Sequence, residues 1–301
     1  MSKKVLNFGS LNLDYVYQVD HFVRAGETIS STKRECFIGG KGLNQSIALA
    51  RSGARVYHAG VVGEDGEQLI RVLQDNNIDT TFVKMVEGPS GHAIIQREAD
   101  GQNCIFLFAG ANRKITDEQI DEVIAEFAGG DYLILQNEIN GIDRIMKRAK
   151  ERGMKIVLNP SPLDEKVLAA PLELVDILML NEVEAEVLCG MSKPDDIMQA
   201  LGDKFPNADI VLTLGKDGVW YRCAKSHELL INGIYEVTVV DTTAAGDTFT
   251  GFFISCISAG TSAKEALEIA SKASNLAVSK KGAEASIPTM SEVEKTQLIT
   301  I

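Results

Sequence analysis

The chain predicts an α/β protein with a mainly parallel central sheet and a second, smaller sheet beside it. Two patterns carry that expectation. From Thr116 onward, short apolar runs alternate with segments of helical length, as in βαβ units with right-handed crossovers. Before it, Tyr15 to Val19, Thr28 to Ile38, Gly91 to Gln96 and Cys104 to Phe108 read as strands too polar for a sheet buried on both faces. At 301 residues, 45% hydrophobic and 24% charged, the chain has a globular composition and enough length for one large core. A formal charge of −12 argues against nucleic acid or an anionic membrane as a bulk partner. Five scattered cysteines without a C-x-x-C, no apolar run of membrane-spanning length and no signal-peptide pattern predict a cytoplasmic protein.

Taken in order, Val5 to Phe8 is an apolar strand ending at Gly9 and Ser10. Asn12 and Asp14 follow, just past the C-terminal end of a buried strand, where open α/β sheets bind ligands. Gly39 to Gln45, G-G-K-G-L-N-Q, runs into a helical pattern that stops at Gly53. It meets neither the dinucleotide nor the P-loop spacing. It is either a plain helix-starting turn or a backbone bent around a ligand, with Lys41 and Asn44 as polar handles. A strand at Val56 to Val62 and a helix at Asp65 to Asn76 come next. Asp100-Gly101 then turns a hairpin between Gly91 to Gln96 and Cys104 to Phe108.

The alternating half reads helix (Asp117 to Phe127), strand (Tyr132 to Gln136), helix (Gly141 to Arg152), strand (Lys155 to Leu158), helix, strand (Ile177 to Leu180), helix and strand (Ile210 to Leu214). Polar clusters close four successive strands: Gln136-Asn137-Glu138, Asn159 to Pro162, Asn181 to Glu184 and Thr213 to Lys216. All fall on the ligand-binding edge of such a sheet. Further strands are expected at Gly218 to Cys223 and Leu229 to Ile231.

Asp241 to Phe249, D-T-T-A-A-G-D-T-F, lies between a strand-like run (Ile234 to Val240) and a helical one (Phe249 to Ile257). Ala244, Ala245 and Gly246 leave their amides bare at a helix start, which makes an anion site. Asp247, in the first turn, either caps the helix or acts as a general base beside a bound phosphate. Ser262-x-x-Glu265 reads as a capping box for the last helix, whose alanine stripe (Ala263, Ala266, Ala270, Ala273, Ala277) suits close packing. The final Glu/Thr-rich dozen residues read as peripheral.

Together, Gly39 to Gly63 and Asp241 to Gly251 resemble the two signatures of the ribokinase-like (PfkB) family of carbohydrate kinases. The likeness runs from about Val5 to Pro288. The resemblance implies a single three-layer α/β/α domain over residues 1–301, with lid segments at about 14–37 and 91–108. It implies transfer of the ATP γ-phosphate to a sugar hydroxyl, D-ribose first among acceptors, with fructose, deoxyribose, a nucleoside or a sugar phosphate as alternatives. A non-catalytic sugar-binding protein is the reading from another class. Asn12, Asp14, Gly40, Lys41, Asn44 and Glu138 would hold the sugar, Asp247 would be the base, and the Ala244-Ala245-Gly246 amides the anion hole. Asn181 and Glu184 would act through water on Mg²⁺ and the phosphates. Thr213, Gly215, Gly218, Ser271 and Asn275 would line the nucleotide site. Asp241, Thr243, Ala277, Lys280, Gly282 and Ser286 would hold K⁺, largely through carbonyls. The lid sheet would also make a homodimer contact. Phe252, His92 and the Ser271, Lys272, Asn275 face depart from the family pattern.

Overall fold

The computed structural model describes residues 3–299. Its chain begins with β1 (Lys4–Phe8), β2 (Asn12–Gln18), β3 (Lys33–Gly39), α1 (Lys41–Arg51), β4 (Arg55–Val62), α2 (Glu67–Asp75) and β5 (Asp79–Met85). Next come β6 (Gly91–Arg97), β7 (Asn103–Phe108), α3 (Asp117–Ala125), β8 (Tyr132–Gln136), α4 (Ile142–Glu151), β9 (Lys155–Asn159) and α5 (Glu165–Leu168). The rest comprises β10 (Ile177–Asn181), α6 (Glu182–Cys189), α7 (Pro194–Lys204), β11 (Asp209–Thr213), β12 (Val219–Arg222), β13 (Leu229–Asn232), α8 (Ala245–Ala259), α9 (Ala263–Val278) and α10 (Met290–Lys295).

The large sheet has the order β13-β12-β11-β10-β9-β8-β1-β4-β5. It is parallel from β5 to β11, and only β12 and β13 pair antiparallel. Successive side chains of its central strands enter opposite cores. Leu6, Leu133 and Leu135 pack under α3, α4, α6 and α7, while Val5, Tyr132 and Ile134 pack under α1, α2, α8 and α9. A strand buried on both faces must be apolar at every position, which is why these segments read as continuous runs. The result is three layers, α/β/α.

The second sheet has the order β3-β2-β6-β7 and is built from two excursions of the chain, one between β1 and α1 and one between β5 and α3. Its β2 pairs antiparallel with β3 and parallel with β6, so Asn12 and Asp14 stand opposite Gly39, Gly91 and their neighbours. Every residue of β7 is exposed.

Two close approaches bring the loops of the site together. A side chain on Gly42 would overlap the Gly9–Ser10 backbone, so α1 can start directly over the end of β1 only with glycine there. A side chain on Gly251 would overlap the Ala48 methyl, so α8 lies almost backbone to backbone on α1. Phe252 points the other way, fully buried in the core beneath these helices.

Several expectations are corrected. Residues 28–32 are not strand; β3 starts at Lys33. Ile234 to Val240 is not a strand either, and Val239 and Val240 are exposed. Its backbone bonds to Asn275, Ile299 and Val278, and its only strand-like pairing among the described residues is an isolated bridge at Tyr235. The strand β5 was not anticipated. Ser262 caps α9 through the Glu265 amide, but among the described residues the Glu265 side chain does not return the bond. The last helix is α10, closed by a full capping box between Thr289 and Glu292. Among the described residues, no helix is long and apolar enough to cross a membrane.

Replacing Gly251 with valine should force α1 and α8 apart and lower stability by about 1–3 kcal/mol, the usual cost of overpacking. Urea unfolding checks this; an unchanged midpoint would show that the two helices separate freely.

Candidate active site

A cavity of about 590 Å³ opens along the C-terminal ends of β9, β10 and β11 and is roofed by the starts of α8 and the middle of α9. Asp247 lies at its inner end, 7% exposed. A carboxylate so buried needs donors, and α1 supplies them. Asn44 Nδ2 donates to Oδ2 at 3.1 Å and Gln45 Nε2 to Oδ1 at 2.9 Å. The turn before it is bent tightly. Ala244 holds φ 60°, the left-handed region that a residue with a Cβ enters at some cost. The Ala245 amide makes only a long bond, 3.3 Å, to Thr242 O, and among the described residues no acceptor meets the Ala244 or Gly246 amide. Ser274 Oγ, from α9, donates to Ala245 O at 2.9 Å and pins the turn.

On the side of the second sheet, four predicted residues converge. Asn12 is buried, and its Oδ1 accepts from Asn112 Nδ2 at 2.7 Å. The carboxylate of Asp14, on β2, makes no hydrogen bond among the described residues. Burial, and behind it the Glu138 charge, pushes its carboxyl up to about 6. Glu138 accepts from the Ser10 hydroxyl in a short bond and from the Lys41 amide at 3.0 Å. Burial raises its pKa despite those donors. Lys41 opens α1 after Gly40, whose φ of 97° only glycine adopts comfortably. Burial pulls its ammonium down, and the charges of Asp247, Glu138 and Glu184 more than offset that, leaving it above the ordinary lysine range.

At the other end of the cavity, Asn181 and Glu184 form a reciprocal capping box on α6, with bonds of 2.8 and 3.1 Å. The Thr213 hydroxyl donates to Leu180 O, and Gly215 and Gly218 both take positive φ in the turn after β11. Ser271 and Asn275 line the cavity wall, but their oxygens accept from Asn232 and from the Tyr235 amide, so they also hold the chain after β13 against α9.

Asp241 accepts from the Thr243 amide and hydroxyl (3.0 and 2.6 Å) and from the Gly282 amide (3.1 Å). Burial works against these donors, yet its pKa stays below the usual carboxylate range. The loop at 241 is thereby tied to the turns that carry Ala277, Lys280, Gly282 and Ser286. The Lys280 side chain turns away to Glu292 at 3.1 Å. Among the described residues, no three His, Cys, Asp or Glu side chains cluster as a metal cage.

Sequence reasoning did not single out Ser10, Gln45, Asn112, Asn159 or Ser274 as site residues. Their roles arise from pairing across distant segments; Gln45, in the glycine-rich loop, and Ser10 and Asn159, at strand ends, carry a local signal.

The chain is similar to several known proteins. A family model described as pfkB family carbohydrate kinase matches residues 2–290. A ribokinase of Haemophilus influenzae is 35% identical over 305 residues, covering 97% of each chain. A ribokinase of Arabidopsis thaliana, solved with ribose and ATP, superposes with a TM-score of 0.87 at 31% identity over 98% of both chains. A ribokinase of Cryptococcus neoformans, solved with ADP, gives 0.86 at 32% identity, covering 98% of this chain and 99% of that one.

The raised Asp14 pKa has a sign that can be tested. Its ordinary value is 3.8 and its folded value about 6. The folded state therefore holds the proton more tightly, and its contribution is full below about 4 and lost as pH rises through about 6. Asp14→Asn should remove that loss, at most about 3 kcal/mol, so that the variant gains on the parent between pH 4 and 7. Urea unfolding across pH decides it; parallel curves would mean that Asp14 ionises normally.

Proposed function

The chain belongs to the pfkB family of carbohydrate kinases, and from that membership we propose that it transfers the γ-phosphate of ATP to the primary hydroxyl of D-ribose, giving ribose 5-phosphate. The observation that carries the proposal is the position of Asp247. It is a buried carboxylate in the first turn of α8, beside unpaired amides and between the residues that face the two ends of the site.

Asn12, Asp14, Gly40, Lys41, Asn44 and Glu138 offer the acceptors and donors that a polyhydroxylated ring needs. Asp247 takes the proton of the attacking hydroxyl, a step worth ~10²–10⁴ in rate. The amides of Ala244, Ala245 and Gly246 receive charge developing on the transferred phosphoryl oxygens. Lys41 adds a positive charge where sugar and phosphate meet. Thr213, Gly215, Gly218, Ser271 and Asn275 border the cavity and would face the nucleotide; the ADP and ATP bound in related ribokinases support a nucleotide as the donor.

Asn181 and Glu184 would act through water on a Mg²⁺ ion, which keeps several waters by preference and when bound would offset phosphate charge. The two loops tied by Asp241 would hold K⁺ through the carbonyls of Thr243, Ala277, Lys280, Gly282 and Ser286. The exposed apolar strand β7 supports a homodimer through the second sheet. All five cysteines are free, which suits a reducing cytoplasm.

ADP release with ATP, Mg²⁺ and K⁺ should be strong on ribose and weak on deoxyribose, fructose, fructose 6-phosphate and nucleosides. Preference for another acceptor would overturn the ribose assignment. Sugar binding without turnover on any of them would favour a non-catalytic protein. Asp247→Asn should retain ribose binding by calorimetry and lose turnover by ~10²–10⁴; near-full turnover would remove Asp247 as the base.

A further inference from the structure

We propose that Gln45 is a positioning residue for the transfer, aiming the Asp247 carboxylate and coupling it to a rigid buried amide network. The proposal rests on Asp247 as the base. Gln45 is fully buried, so it acts through Asp247 and not on substrate.

Both hydrogens of its amide are used. Nε2 donates to Asp247 Oδ1 at 2.9 Å and to Asn159 Oδ1 at 3.1 Å. Its Oε1 accepts from Gln136 Nε2 at 2.6 Å, and Gln136 gives its other hydrogen to Asn7 Oδ1 at 3.0 Å. Asn7 Nδ2 in turn donates to Gly42 O at 2.7 Å and Ser46 Oγ at 2.9 Å, and Ser46 Oγ meets His58 Nδ1 at 2.7 Å. Burial lowers the His58 pKa to about 4, so the imidazole is neutral.

This order of donors admits one orientation of Gln45. Turning its amide over would set Oε1 against the Asp247 carboxylate and Nε2 against the Gln136 amide, two like-to-like contacts in a buried site. A lone serine or water at that place would leave the carboxylate free to swing. With Asn44 on Oδ2 and Gln45 on Oδ1, both oxygens are held by neighbouring residues of one helix, and the remaining lone pairs are left for the acceptor hydroxyl. Positioning of a reacting group to within an ångström governs rate more than affinity. That separates Gln45 from a ligand-binding residue.

The test is steady-state kinetics of Gln45→Met, which keeps the shape and removes the amide. With ribose and ATP, kcat should fall about 10- to 100-fold, with both KM values within about threefold of the parent. In an Asp247→Asn background the same substitution should change the residual rate less than about twofold, because no carboxylate remains to be aimed. Equal losses in both backgrounds would indicate a structural role and overturn the proposal. So would a kcat within about twofold of the parent while Asp247→Asn is impaired, and that result would leave the base in place. If Asp247→Asn itself keeps turnover, the base reading fails and takes the proposal with it. Should Gln45→Met not fold, Gln136→Met carries the same test, since it cuts the 2.6 Å bond that orients Gln45 without touching Asp247; an unchanged kcat there would overturn the proposal.

Discussion

The burial of Asp247 is the constraint from which the surrounding architecture follows. An ionised carboxylate removed from water is costly unless its oxygens are occupied, and here two consecutive side chains of α1 occupy them. For those short donors to reach, α1 and α8 must run closer than ordinary helices do. Gly251 against Ala48 makes that possible, and the contact of Gly42 with Gly9 and Ser10 brings the start of α1 over the end of β1. Glycines far apart in sequence thus serve one electrostatic requirement.

The charge distribution has the same economy. A protein of formal charge −12 that takes a polyanion needs local means of attracting it. Bare helix-start amides and the cation of Lys41 supply them, the latter held charged by the three carboxylates around it. On the second-sheet side, Asp14 and Glu138, the latter beside Lys41, both have raised pKa values. Within the site, Ala244 holds a left-handed backbone and burial works against ionisation of Asp14.

What the amino-acid order reveals depends on how local each interaction is. The alternating half was legible because every central strand is apolar on both faces, and the strand-end clusters were legible because polar residues interrupt that pattern abruptly. Asp79 to Met85 escaped notice because D-T-T-F-V-K-M is only half apolar and follows α2 closely. Ile234 to Val240 misled because its β-branched residues look like a strand, although the chain there is held by a helix side chain and two carbonyls. In the site, Asp247 and the glycine-rich loop announced themselves through composition. Asn112 and Ser274 did not, because each is significant only through a partner at least 29 residues away.

The second sheet is threaded through the chain as two excursions from the large one, and it carries Asn12 and Asp14, whereas Asp247 stands on α8. On the proposed roles, part of the acceptor's recognition lies on the second sheet and activation of its hydroxyl on α8, layers joined by the four crossings of those two excursions. Heritable change in one need not disturb the other. A lineage can retune what is grasped by editing a thin, half-exposed sheet whose surface tolerates substitution, while the deep packing that aims the carboxylate passes unaltered from one specificity to the next.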